Sequence, residues 1–361
     1  MNIKGKNHTS IWYENGRIFY IDQTFLPWEV KIREMQNFGD SVRAISDMEV
    51  RGAPLIGVAA AFGMYLAAGE GLDLRASAEE LRNTRPTAIN LAWALDKMLE
   101  TAMASNKNGE LELLEAALDI RESEIERSRK IGEAGLPLIE EIYLKKKKQG
   151  GSDNTINILT HCNAVWLACV EWGTATAPIY MAHDKGIKLH VWVDETRPRN
   201  QGAKLTAFEL GAHGVPYTLI PDNTGGHLMQ NGMVDMALVG TDRTAANGDV
   251  ANKIGTYLKA LAAKDNDIPF YVAMPYSSFD PGTATGRHIP IEERSGDEVR
   301  KMQDGRRKTQ DVRRKTKDGR GKIGSILIVP EDTPVANYGF DITPARLVTG
   351  YITEEGIKDR L

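Results

Sequence analysis

The sequence predicts an α/β fold: a parallel sheet with helices on both faces in the second part of the chain, preceded by a smaller, mostly helical lobe. Three observations carry this. Short apolar runs recur after residue 150, namely INILT (156–160), LHVWV (189–193), YTLI (217–220), MALVG (236–240), FYVAM (270–274) and SILIV (325–329). Alanine-rich stretches of helical character separate several of them, among them 164–185 and 202–213. Alternation of buried strands with helices is the signature of a parallel sheet covered on both sides. The third observation is a change of texture at a charged, glycine-containing stretch, YLKKKKQGGSDNT (143–155), which divides an N-terminal α+β lobe (1–145) from the sheet domain (150–361).

The N-terminal lobe opens with IWYENGRIFYID, where Asn15-Gly16 between alternating apolar residues predicts a β-hairpin. Residues 56–68 are apolar and alanine-rich, and 88–103 and 111–129 carry apolar residues three and four apart, so each predicts a helix. In the second part, ligands of a parallel sheet gather beyond the carboxyl ends of its strands. Those ends are polar: Thr160-His161-Cys162-Asn163, Asp194-Glu195-Thr196-Arg197, Asp222-Asn223 and Thr241-Asp242-Arg243. One stretch fits neither lobe. Residues 300–322 are basic, rich in glycine and poor in apolar residues, which predicts a solvated insertion.

Composition narrows the function. With 361 residues, 42% hydrophobic and 26% charged, the chain has the make-up of a globular protein with a large core. A net charge of −4 leaves no overall basic footprint for nucleic acid. No apolar run approaches the roughly 18 residues that span a bilayer, and the first sixteen residues lack the apolar core of a secretory signal. Two cysteines, Cys162 and Cys169, form no paired ligand motif and suit a reducing compartment, so the expected location is the cytoplasm. HExxH, Walker, GxSxG and CxxC motifs are all lacking, and the seven histidines have no metal-ligand spacing. No metal or organic cofactor is implied.

Candidate chemistry follows from position. Cys162 follows a strand and is expected to precede a helix beginning near Ala164, whose N–H groups and dipole would favour a thiolate; a buried, inert cysteine is the alternative. Cys169, deep in that helix, reads as structural. His161 is either a base partner for Cys162 or a packing residue. Asp242, at a strand end among small residues, is either a desolvated proton carrier or a helix N-cap. Asn252 and Lys253 are expected to open an amphipathic helix, a natural seat for phosphate, with a merely solvated helix-start lysine as the alternative. In VRGAPLIG, Arg51 offers a bidentate grip while Gly52 and Ala53 let backbone approach a ligand. Arg85 is a second cation ahead of a helix, and Gln201 is an amide suited to hydroxyls. A structural turn remains the alternative for each arginine.

Taken together, VRGAPLIGVAAA, TRPTAINLAWAL, ILTHCNA, VDETRPRNQGAKLTAFEL, GVPYTLIPDN, LVGTDRTAANGDVANKIGTY and FDITPARLVTGYITEEG, in this order from about residue 45 to 356, resemble the methylthioribose-1-phosphate isomerases. These share a superfamily with the regulatory subunits of the translation-initiation exchange factor and with ribose-1,5-bisphosphate isomerases. The resemblance implies a Rossmann-like catalytic domain, a homodimer, and conversion of 5-methylthioribose 1-phosphate to its ketose in methionine salvage. It implies Cys162 and Asp242 as the catalytic pair, and Arg51, Gly52, Ala53, Arg85, Gln201, Asn252 and Lys253 as substrate contacts. The sequence departs from the usual pattern at Val165, Trp166 and Cys169, where smaller residues are common, and at the basic insertion.

Overall fold

The computed structural model describes residues 2–3, 6–85, 88–104, 109–150, 153–303 and 325–361. Most of the basic stretch, residues 304–322, therefore lies outside the described residues.

The chain begins with a two-residue pair, β1 (Asn2–Ile3) and β2 (Lys6–Asn7). The predicted hairpin follows as β3 (Ile11–Glu14) and β4 (Arg17–Asp22). Asn15 and Gly16 both have positive φ (52° and 79°), which matches the twist of the strands they join. A third strand, β5 (Lys31–Met35), completes this sheet. Five helices follow: α1 (Phe38–Ser46), α2 (Ala53–Gly69), α3 (Leu74–Thr84), α4 (Ile89–Ala104) and α5 (Gly109–Lys148). Helix α2 is apolar all round and correspondingly buried from Pro54 to Met64, the centre of a helical core. Helix α5 outruns its predicted end by nineteen residues. Its first half, through Leu113, Ala117 and Ile120, packs in that core, and its second, through Ile131, Leu136 and Ile139, packs under the main sheet.

The second part contains β6 (Ile156–Thr160), α6 (Ala177–Asp184), β7 (Leu189–Asp194), α7 (Ala207–His213), β8 (Tyr217–Ile220), α8 (Thr224–Gln230) and β9 (Met236–Val239). Then come β10 (Arg243–Ala245), β11 (Val250–Lys253), α9 (Thr256–Asp265), β12 (Phe270–Ala273), β13 (Phe279–Asp280), α10 (Asp297–Arg300), β14 (Lys301–Gln303), β15 (Ser325–Leu327), β16 (Phe340–Thr343), β17 (Gly350–Thr353) and β18 (Gly356–Lys358). The main sheet runs β8-β7-β6-β9-β12-β17 in parallel, with β18 antiparallel at the edge. Numbered by chain order, its parallel strands lie 3-2-1-4-5-6, the doubly wound Rossmann arrangement. Strand order reverses between β6 and β9, which opens a crevice at their carboxyl ends. Cys162 stands two residues past β6, and Asp242 three past β9.

Four local expectations are corrected. The stretch from Ala164 is not helical until Ala177; before it lies only a 3-10 turn, Trp166–Ala168. Val165 and Trp166 sink into the core there, and Trp172 and Gly173 both take positive φ, which breaks any helix. Residues 202–213 begin with a π turn, Gly202–Thr206, before α7. Asn252 and Lys253 end a strand rather than open a helix: β11 is held between β10 and β16, and α9 starts only after Gly255 turns the chain at φ +103°. SILIV does not join the main sheet. It pairs antiparallel with β14, and Ile326, Leu327 and Ile328 stay exposed. The sixth parallel strand is instead GYIT, residues 350–353, buried throughout.

Candidate active site

Two sheets meet at the crevice. The main sheet delivers Cys162 from β6, and a four-stranded sheet in the order β13-β10-β11-β16 delivers Asn252 and Lys253 from β11. Asp242 lies at the junction, its N–H donating to the Ala251 carbonyl at 3.0 Å as the chain passes from β9 into β10. The helical layer approaches from the other side through the turn before α2. Gly52 there has φ +100°, and a Cβ on it would come within 2.4 Å of Ala168. Only glycine lets this turn press against the one after Cys162.

Charge ties these residues together. Cys162 interacts electrostatically with Lys253, Asp242 and Arg51, and Asp242 with Lys253 and Arg85. Gly52, Ala53, Arg85 and Asp242 line one small cavity of about 50 Å³, whose other walls are mainly apolar: Ile56, Ala88, Ile289, Pro290, Ile291 and Phe340. Arg51 faces a second cavity of about 250 Å³ with Arg199, Asn200 and Lys204. Asp242 thus lines the smaller cavity beside Arg85 and Arg243, and Arg51, which interacts with Cys162, lines the larger one.

Each ionisable group pays for its burial in a defined direction. Desolvation pushes the Cys162 thiol up to about 11, against the pull of Lys253 and Arg51, while the Asp242 charge pushes it further. The helix-stabilised thiolate expected from sequence is therefore corrected: no helix begins at Cys162, and the resting group is a thiol. Cys162 has φ +68°, its N–H donates to Thr196 Oγ1 at 3.0 Å, and its carbonyl accepts from Thr206 Oγ1 at 2.7 Å. Desolvation also raises the Asp242 carboxyl, opposed by Lys253 and Arg85. Desolvation lowers the Arg51 guanidinium to about 9, reinforced by Arg199, and lowers Lys204 to about 8. Such crowding of desolvated cations suits an anionic ligand.

The remaining candidates are less exposed. Lys253 Nζ donates to the Gly339 carbonyl at 2.9 Å and lies 4.5 Å above the Phe340 ring. Asn252 donates to Thr256 Oγ1 at 3.0 Å. Gln201 is buried beside the cationic cavity, and its Oε1 finds no hydrogen-bond partner among the described residues. The Nε atoms of Arg51 and Arg85 are likewise unpartnered among the described residues.

His161 is not poised as a base. Its Nδ1 lies 2.8 Å from Asp194 Oδ2 and its Nε2 2.9 Å from the Ile254 carbonyl, so neither nitrogen faces the thiol. His161, Asp194 and Asp222 lie close enough to hold a metal ion, but both ring nitrogens, both Asp222 oxygens and Asp194 Oδ2 are already engaged, and Asp194 Oδ1 alone has no partner among the described residues. Asp222 accepts from the N–H groups of Thr196 and Arg197 at 2.7 Å each, and Asp194 Oδ2 pairs with Lys259 Nζ at 3.0 Å. Sequence reading placed Thr196 among the polar strand ends without a role, and missed Lys259, which flanks this cluster, and Glu298. Glu298 ties Arg199 and Arg294 at 2.8 Å each across the cationic cavity. Their i, i+4 spacing marks the Arg294–Glu298 pair in the sequence; nothing local marks Lys259.

Residues 49–359 match the initiation factor 2 subunit family. The chain belongs to that family, in its methylthioribose-1-phosphate isomerase branch. It is 51% identical, over 99% of its own length and 95% of the relative's, to the methylthioribose-1-phosphate isomerase of Desulfatibacillum aliphaticivorans. With that of Sinorhizobium medicae (strain WSM419) it shares 52%, covering 99% and 96% of the two chains. Among solved structures it is similar to the 5-methylthioribose 1-phosphate isomerase of Pyrococcus horikoshii OT3, with a TM-score of 0.80, 36% identity, and 98% and 92% coverage. It is also similar to the translation initiation factor eIF-2B, subunit delta, from A. fulgidus, with a TM-score of 0.76, 36% identity, and 97% and 96% coverage. Family membership thus embraces two functional descriptions, and the crevice has to decide between them.

Proposed function

We propose that the crevice converts 5-methylthioribose 1-phosphate to 5-methylthioribulose 1-phosphate, with Cys162 and Asp242 as its catalytic groups. One observation supports the reading above the rest: a desolvated thiol and a desolvated carboxyl, from different strand ends, interact with each other and with Lys253, beside cavities lined by Arg51 and by Arg85. Arg51 and Lys253 hold the phosphate, Gly52 and Ala53 offer it backbone, and Arg85, Gln201 and Asn252 bind the sugar oxygens. The apolar wall of the small cavity, Ile56, Ala88, Ile289 and Ile291, suits a methylthio group.

The phosphate on C1 prevents simple opening of the ring. Asp242, whose carboxyl burial keeps protonated to higher pH, gives its proton to the ring oxygen as the bond from that oxygen to C1 breaks. Hydrogen then moves from C2 to C1. In one route Cys162, acting from its minor thiolate form, takes the C2 proton, an enol forms across C1 and C2, and the proton returns to C1. As the C2 hydroxyl becomes the carbonyl, its proton restores Asp242. In the other, hydride passes directly from C2 to C1 while Cys162 stays neutral and the same hydroxyl proton restores Asp242. Cations and a dry wall strengthen either route. Turnover in heavy water tests the second route: deuterium at C1 of the product excludes a pure hydride shift.

The test of function is direct. Purified protein should isomerise 5-methylthioribose 1-phosphate with higher kcat/KM than 5-deoxyribose 1-phosphate or ribose 1,5-bisphosphate. Turnover of none of the three would favour a non-catalytic regulatory subunit. The reading carries two further proposals: the protein works as a homodimer, which sedimentation would show as twice the 39.9 kDa chain, and it works in the cytoplasm, where Cys162 stays reduced.

A further inference from the structure

The cluster behind Cys162 leaves one buried group without a role. The His161 ring is almost wholly enclosed, as are Asp194 and Lys259. Both partners of the ring are acceptors, since a backbone carbonyl cannot donate and Asp194 Oδ2 also takes the Lys259 ammonium. Two acceptors require two N–H donors, which only the imidazolium has. The surroundings balance its charge: Asp194 from β7 and Asp341 from β16 face His161 and Lys259, while Asp222 is held by the Thr196–Arg197 turn.

Three chain segments meet at this ring. Its own strand continues into Cys162. Asp194 ends β7, two residues before Thr196, whose hydroxyl accepts from the Cys162 N–H. Ile254 directly follows Lys253, and Gly255 packs so close that a Cβ would stand 3.3 Å from the ring. We propose that His161 is a positioning residue, an imidazolium whose two N–H groups pin the Cys162 turn to the Asn252–Lys253 strand and so fix the thiol against Lys253. The proposal rests on Cys162 and Lys253 being working groups, as argued above.

Wild-type turnover is measured first; its failure would count against the proposed reaction and not against the state of His161. Long-range ¹H–¹⁵N NMR of the full chain carrying ¹⁵N-histidine then reads the ring itself, assigned through its contact with Gly255. The expected result at pH 7.5 is one ring with both nitrogens protonated; a neutral His161 overturns the proposal. His161→Gln, whose single amide nitrogen can take the place of only one ring nitrogen, is expected to lower kcat at least about thirtyfold, leave KM within threefold, and change the pH dependence of Cys162 alkylation. A folded variant with kcat within twofold of wild type, or one that loses kcat with unchanged Cys162 alkylation, also overturns it. Should that variant fail to fold, the NMR result on the wild-type chain decides.

Discussion

Cys162 sits on a left-handed turn, and desolvation of its half-buried side chain outweighs the compensating pull of Lys253 and Arg51. Because burial raises the thiol to about 11, the reactive thiolate is scarce at neutrality. Alkylation of Cys162 by iodoacetamide should therefore keep accelerating from pH 8 to beyond pH 10, whereas a plateau below pH 8.5 would contradict the burial argument. Cys169, buried and raised further, should remain unmodified in the folded protein. For catalysis, Cys162→Ser and Asp242→Asn are each expected to lower kcat by about 10²–10⁴-fold, the range of lost acid–base help, with KM within a few-fold. Steady-state assays with circular dichroism as a folding control would read this. Both residues were legible in the sequence because each follows an apolar run at a strand end. The protonation state of the thiol was not legible, since it depends on walls brought in from residues far along the chain.

Strand β11 and helix α9 act as one element through Asp341. Its carboxylate accepts from the Gly255 N–H at 2.6 Å and the Tyr257 N–H at 3.2 Å, closing the first turn of α9 from the neighbouring strand β16. Asp341→Ala removes that cap, and a loss of about 1 kcal/mol in denaturant unfolding is expected. Lys253 lies two residues before Gly255, so the same change should raise KM for the sugar phosphate more than it lowers kcat. An equal fall in both kcat and kcat/KM would argue instead that the chemistry had been disturbed. This element also shows where pattern reading fails. VANKIGTY has the polarity of a helix start, yet β11 is bonded on both sides, to β10 and to β16, whose residues lie ninety positions later. Long-range pairing overrode local propensity. The opposite error occurred at 325–329, where a strongly apolar run that reads as a core strand lies exposed beside β14.

Across the whole molecule, the order of parallel strands was readable in kind but not in detail: five of the six predicted runs form the sheet, and the sixth place went to GYIT, too short to stand out. What composition hid was the buried charge that the two cores enclose. Glu124 of α5 and Glu209 of α7 are almost wholly buried, and burial raises both carboxyls above their ordinary value. The sign follows from proton binding: the folded chain holds these protons at pH values where the unfolded chain has lost them. Their favourable contribution is complete below the unfolded value near 4.5 and drains away as pH rises through the raised folded values. Glu209 is the cleaner probe, because both its oxygens accept only weakly, at 3.4 Å, from the Leu167 N–H in the turn behind Cys162. Glu209→Gln keeps an acceptor there and removes the charge. Relative to wild type, the variant should melt about 2–4 °C higher at pH 8 and at an unchanged temperature at pH 5. A uniform loss at both pH values would mean that Glu209 is ionised and bound, not buried and neutral.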